Sequence, residues 1–161
     1  MTDTDLFKLV LKENAPAVKF MIDLAHCSQV LDDLVDKDKD VSANTIQNVF
    51  WLLLIEIPNN RFYREYYDAL WPVMSQVLND WFVANEVESQ YLNTFKVPLK
   101  RQTALDEPRL RMSYVLRDSM AQLLTHCALL LGGFAWMRQH AQLIRAHVHD
   151  ESFDSYKDAL K

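Results

Sequence analysis

Apolar positions recur at helical spacing along most of this chain, and the residues between them read as helix caps and stops. A short helix fits residues 4–13, and Asn14 can cap the next one, with Pro16 in its first turn. That second helix runs to about residue 38. Ser42 is placed to cap a third over 43–57, which Pro58-Asn59-Asn60 would end. Residues 60–69 and 72–95 suggest two helices parted near Pro72, with Asp68 as a cap, because proline removes a backbone donor and crowds the preceding turn. The polar stretch 96–108 reads as the one long connection. Asp106, Glu107 and Pro108 then start a helix that continues to Leu131 at least, where Gly132-Gly133 either ends it or admits a close neighbour. A further helix takes 134–148, and Asp150 caps a terminal one at 151–160. The expectation is an all-α fold, a single domain over 1–161 built as one bundle of about six to eight helices.

Composition supports this. The chain has 161 residues, half of them hydrophobic, and only 2 Gly and 5 Pro, too few for the tight turns of an all-β protein of this size. The net charge of -5 supplies no field for a polyanion, so duplex nucleic acid is not an expected partner. Cys27 and Cys127 each sit in an apolar helix pattern without metal-ligand spacing, which predicts buried free thiols and suits a reducing compartment. The N-terminus carries acids where a secretory leader needs basic residues, so the expected location is cytoplasmic. The most apolar window, 120–137, contains Gln122, Thr125 and His126 and reads as a core helix, not a membrane span.

Chemistry concentrates in QVLDDLVDKDKDVS, residues 29–42, where five of fourteen residues are aspartate. On a helical wheel Asp32, Asp36, Asp40, Asp33, Gln29 and His26 share one arc, and Phe20, Leu24, Cys27, Leu31, Leu34 and Val35 take the other side. One reading is an amphipathic helix with a solvated acidic face. Val18, Ile22 and Ala25 lie on the acidic arc a few turns earlier, so the first half of this helix is apolar all round and is expected to be buried on every side. Its acids would then reach the mouth of a cavity. Asp32 and Asp36 at i, i+4 repel by a few tenths of a kcal/mol, roughly, which a cation would relieve.

The segment LAHCSQVLDDLVDKD resembles the first aspartate-rich motif, DDxxD, of the isoprenoid diphosphate and terpenoid synthases. The resemblance implies Mg2+ held by Asp32 and Asp36 with Asp33 beside them, a diphosphate-bearing small molecule as ligand, and a reduced isoprenoid-synthase-like bundle. The nearest counterpart of the terpene synthases' second metal motif is NDWFVANE, 79–86, which adds Asp80 and Glu86 as metal candidates. Val83 stands there in place of a Ser or Thr ligand, and no second DDxxD exists. An all-α nucleotide pyrophosphohydrolase is a related alternative, though the chain has no ExxE.

Two further residues are candidates for catalysis. Glu56 ends the apolar run FWLLLIE, where burial would raise its pKa for general acid or base work; the plainer reading pairs it with Arg61 or Arg64. Arg117 could reach a phosphate as a bidentate donor. It adjoins a stripe of Tyr114, Asp118, Gln122 and His126, whose buried members must meet partners. The basic residues Lys96, Lys100, Arg101, Arg109 and Arg111 read as a solvated loop or as a closure over phosphate.

Two function classes follow. One is a Mg2+-dependent helical protein that binds or acts on a diphosphate. The other is a non-enzymatic helical adaptor or regulatory protein, in which aromatics of the segment 62–81 (Phe62, Tyr63, Tyr66, Tyr67, Trp71, Trp81) contact a partner or a second copy.

Overall fold

A computed structural model describes residues 1–37, 39–94 and 106–160. The fold is all-α, without a strand among those residues. Thr2 opens α1 (Asp3–Val10) with a reciprocal box: its hydroxyl accepts from the Asp5 amide at 3.2 Å and the Asp5 carboxylate accepts from the Thr2 amide at 3.1 Å. This helix is shorter than the predicted 4–13, because Lys12 and Glu13 take left-handed φ values of 55° and 56° and turn the chain. Asn14 then caps α2 (Ala15–Asp36) by accepting from the Ala17 amide at 3.0 Å, with Pro16 in the first turn. Lys37, at φ 59°, ends it.

Ser42 caps α3 (Ala43–Trp51), accepting from the Thr45 amide at 3.1 Å. That helix passes without a break into a π-helical segment, Leu52–Glu56, and then into the single turn α4 (Ile57–Asn59). Asn60 turns extended, caps α5 (Arg61–Glu65) and donates its side-chain amide to the Pro16 carbonyl at 2.9 Å. The stop at Pro58-Asn59-Asn60 is therefore where the sequence places it.

The break expected near Pro72 lies six residues earlier, at Tyr66 (φ -110°, ψ 16°). Pro72 sits inside α6 (Tyr67–Thr94), near the start, where the lost donor costs the helix a single bond. Asp68 is an exposed residue of the first turn of α6 and not the cap of a helix beginning at Pro72. The predicted connection before residue 106, with Lys96, Lys100 and Arg101, lies outside the described residues.

The expected uninterrupted helix from 106 to 131 is instead α7 (Asp106–Leu116), a turn at 117–119, and α8 (Met120–Val148). The turn has a tertiary cause: it lets the buried Ser119 hydroxyl donate to the Val77 carbonyl at 3.0 Å. Gly133, at φ 75° and ψ -177°, kinks α8 in a conformation only glycine adopts readily. Its neighbour Gly132 does different work. A Cβ there would lie 2.3 Å from the Trp136 ring, so glycine makes room for Trp136, whose Nε1 donates to the Val10 carbonyl at 2.8 Å. The terminal helix α9 (Phe153–Ala159) is capped by Ser152, accepting from the Ser155 amide at 3.1 Å, and not by Asp150.

The chain divides into two compact units, Met1–Trp71 with Leu124–His140, and Pro72–Leu123 with Ala141–Lys161. The first buries Leu6, Val10, Phe20, Met21, Phe62 and Leu124; the second buries Val77, Ala84, Leu110, Ile144 and Tyr156. Both cysteines are buried free thiols, as expected, and burial pushes the Cys127 thiol up to about 12. By length and composition, the stretch Glu107–Ala159 contains one helix able to cross a membrane, and 28% of its apolar window is buried in the fold.

Candidate functional site

The acidic end of α2 follows the wheel only in part: Gln29 and Asp40 are exposed as a solvated acidic face requires, but its last apolar residues are exposed as well. Asp32 and Asp33 are half-buried, whereas Leu31, Leu34 and Val35 from the wheel's apolar side are exposed, Val35 to 50%. The local core explains why. Cys27 and Val30 pack on Val49, with Val41 and Leu52 at the margin, and that seam does not extend to the last leucines of the helix. Lys39 folds back to the Asp33 carboxylate at 2.9 Å, while Asp36 and His26 are exposed.

The first half of α2 is not buried all round, since Lys19 and Ile22 are exposed. Lys19 donates to Asp23 at 2.6 Å and stands 3.8 Å from Glu56; the bond to Asp23 raises its pKa. Among the described residues, no three His, Cys, Asp or Glu side chains gather to hold a metal ion. A Mg2+ at Asp32 and Asp36 would depend on water and ligand oxygens for the rest of its shell.

The other metal candidates lie in the second unit. Asp80 is buried, and its two oxygens accept from the side-chain amides of Gln76 at 2.7 Å and Gln122 at 2.9 Å. Glu86 is exposed and accepts from Gln90 at 3.2 Å. Arg117 lies 5.1 Å from the centre of the Tyr156 ring and 3.9 Å from Glu151. The stripe beginning at Tyr114 meets partners throughout, as buried polar groups require. Tyr114 donates to the Glu151 carbonyl, His149 pairs with Asp118, Gln122 holds Asp80, and His126 Nε2 donates to the Ala69 carbonyl at 3.1 Å.

One cluster escaped sequence reasoning. Glu88, Ser113 and Tyr156 are all buried; the Tyr156 hydroxyl donates to Glu88 Oε1 at 2.6 Å and lies 3.0 Å from Ser113 Oγ. Ser113 in turn reaches the Ala84 carbonyl at 3.0 Å and Glu88 at 3.2 Å. Burial and then the bond to Glu88 push the Tyr156 hydroxyl far above its ordinary range. A signal was present: Asp80, Ala84 and Glu88 stand at successive i+4 steps, putting two carboxylates on a row whose middle member is apolar.

The largest departure is the run FWLLLIE. It reads as core, yet Phe50 is 62% exposed, Trp51 57%, Leu53 36%, Leu54 66% and Ile55 40%. Only Val49 and Leu52 beside them turn inward, Leu52 partly. A π-helical turn spreads its side chains more widely than an α turn, because its bonds span one residue more. Glu56 is not a buried acid: its side chain is 40% exposed, it accepts from Trp51 Nε1 at 3.1 Å, and its cation is Lys19, not Arg61 or Arg64.

The aromatic segment 62–81 divides as its spread over several helical faces predicts. Phe62 is buried and stacks in a chain with Phe20, Tyr63 and Tyr66, with ring centres 5.0 to 5.8 Å apart. Tyr67 and Trp71 are exposed. Comparison with protein-family models, with curated proteins and with solved structures finds no match.

Proposed function

We propose that this chain is a non-enzymatic helical interaction protein, an adaptor or regulatory subunit that works through protein–protein contacts. The observation that carries the reading is the unbroken apolar run Phe50–Ile55, five of whose six residues stand in water. Burying a Leu or Phe side chain is worth about 1.5–3 kcal/mol, so a face of this kind forgoes several kcal/mol unless something covers it. Consecutive exposed apolar residues with aromatic anchors mark contact surfaces. The test is the size of the full chain in extract of the cells that make it. The reading expects a discrete species larger than the 18.9 kDa chain, lost on Phe50→Ser with Leu54→Ser. A species of monomer size, unaffected by the substitutions, would refute it.

A second reading keeps Asp32, Asp33 and Asp36 as a Mg2+ and diphosphate site. What favours it is that Asp32 and Asp33 are less exposed than the leucines beside them. Calorimetric titration with Mg2+, with and without inorganic pyrophosphate, tests it directly. Saturable binding that tightens with pyrophosphate and vanishes on Asp32→Asn with Asp36→Asn supports it; a flat titration removes it.

A further inference from the structure

We infer that the first unit holds a site for a small zwitterion, an α-amino acid with an apolar side chain, between the start of α2, the short helix α5 and Leu131 of α8. These segments line a cavity of about 260 Å3. None of its lining residues belongs to the Phe50–Ile55 run, so the site stands apart from the interaction reading.

Two opposite charges line the cavity without meeting. Arg61 and Glu65 stand one turn apart on α5, both exposed at its rim. Pairs at this spacing close elsewhere in the chain, Arg111 on Glu107 at 2.7 Å and Lys19 on Asp23 at 2.6 Å. Neither Arg61 nor Glu65 makes a side-chain hydrogen bond or an ion pair among the described residues. Tyr66, where the chain breaks after α5, brings a hydroxyl that also has no hydrogen bond among them. Asn14 gives its carbonyl to the Ala17 amide at 3.0 Å, which leaves its NH2 as a further donor.

The ligand's chemistry follows from these groups. A guanidinium binds a carboxylate through two parallel N–H donors, and Glu65 accepts from an ammonium. Asn60 donates to the Pro16 carbonyl at 2.9 Å and so sets Arg61 beside the start of α2, where the helix dipole also favours an anion. Residues at i, i+4 have Cβ atoms roughly 5–6 Å apart, a spacing suited to a head whose two charges sit on neighbouring groups. A bare anion would face the Glu65 carboxylate and a bare cation the Arg61 guanidinium, each a like-charge contact. Beneath the charges lie the buried Phe62 ring, Pro16 and Leu131, an apolar floor for the ligand's side chain. The cavity is smaller than the roughly 300–1,000 Å3 of drug-sized sites, which limits the occupant to about a single amino acid.

The test is calorimetric titration of the full chain with L-leucine and L-phenylalanine. Three analogues run beside them: leucinamide lacks the carboxylate, N-acetylleucine the ammonium and glycine the side chain. Saturable binding of both amino acids is expected, with each analogue weaker by about tenfold or more. Arg61→Gln should cancel the preference for leucine over leucinamide, and Glu65→Gln the preference over N-acetylleucine. Both side chains are exposed, so melting of the two variants should match the parent chain. A titration flat for both amino acids overturns the proposal. So does binding that leucinamide or N-acetylleucine matches, or binding that neither substitution alters.

Discussion

The Phe50–Ile55 run and the Glu88–Ser113–Tyr156 cluster invert the usual arrangement in opposite directions. In the first unit five of six residues in a wholly apolar stretch stand in water. In the second a carboxylate and two hydroxyls are buried among helices. The polar cluster is complete in itself, because each member bonds another, and a buried polar group without such a partner would cost about 1–3 kcal/mol. The apolar run is not complete in itself. The buried polar groups are satisfied by neighbours within the chain, whereas most of the apolar run is left exposed to water. On the interaction reading proposed above, the polar cluster serves stability and the apolar run recognition.

Substitutions should divide along that line. Largest is Tyr156→Ala, which removes a fully buried ring and should cost about 3–5 kcal/mol in urea unfolding. Tyr156→Phe keeps the ring, takes one donor from Glu88 and should cost about 1–3 kcal/mol. Next comes Gly132→Ala, whose methyl would meet the Trp136 ring and displace the bond to Val10. The expected loss is about 1–3 kcal/mol, with a changed Trp136 fluorescence.

A smaller effect depends on pH. Folding raises the pKa of Tyr156, so the folded state holds that proton more tightly than the unfolded state, and the contribution is complete below about pH 10 and lost as pH rises through the folded value. Chemical unfolding followed from pH 8 to 11 should therefore show stability falling above pH 10, with a shallower fall in Tyr156→Phe. Tyr63 and Tyr114 are raised in the same direction by burial and leave a residual slope. Smallest of all is Phe50→Ser with Leu54→Ser, each within about 0.5 kcal/mol because neither side chain is covered. A loss of several kcal/mol in that pair would mean the face is covered within the chain and would erase the contrast.

The sequence made the fold class and the local stops legible. Asn14, Pro16, Ser42 and the Pro58-Asn59-Asn60 stop act on backbone groups within a turn of themselves, and the structure has them in those roles. The break at 117–119 escaped because its partners are distant in sequence: Ser119 reaches Val77 and His149 reaches Asp118. Asp150 looked like a cap for the last helix, but Ser152 stands one residue before it and takes the role.

At the candidate site the motif was legible and its direction was not. A helical wheel sorts Asp32 from Leu34 but cannot say how far along the helix the core reaches, and the Cys27–Val30–Val49 seam stops short of Leu34. The run Phe50–Ile55 misled for a related reason. Six apolar residues in a row read as interior, and only the positions of α2 and the π-helical turn decide that most of them face out. The stripe from Tyr114 to His126 was read correctly as needing partners, since that follows from side-chain chemistry alone.

The measurement that bears most directly on the interaction reading is photo-crosslinking in living cells from an unnatural residue at position 54, compared with one at the exposed, polar Asn44 of the same helix. A discrete protein adduct from position 54, absent from position 44 and diminished by Phe50→Ser, is the predicted result. No adduct from position 54 beyond that from position 44 would contradict the account, and the apolar face would then have no partner in the cell.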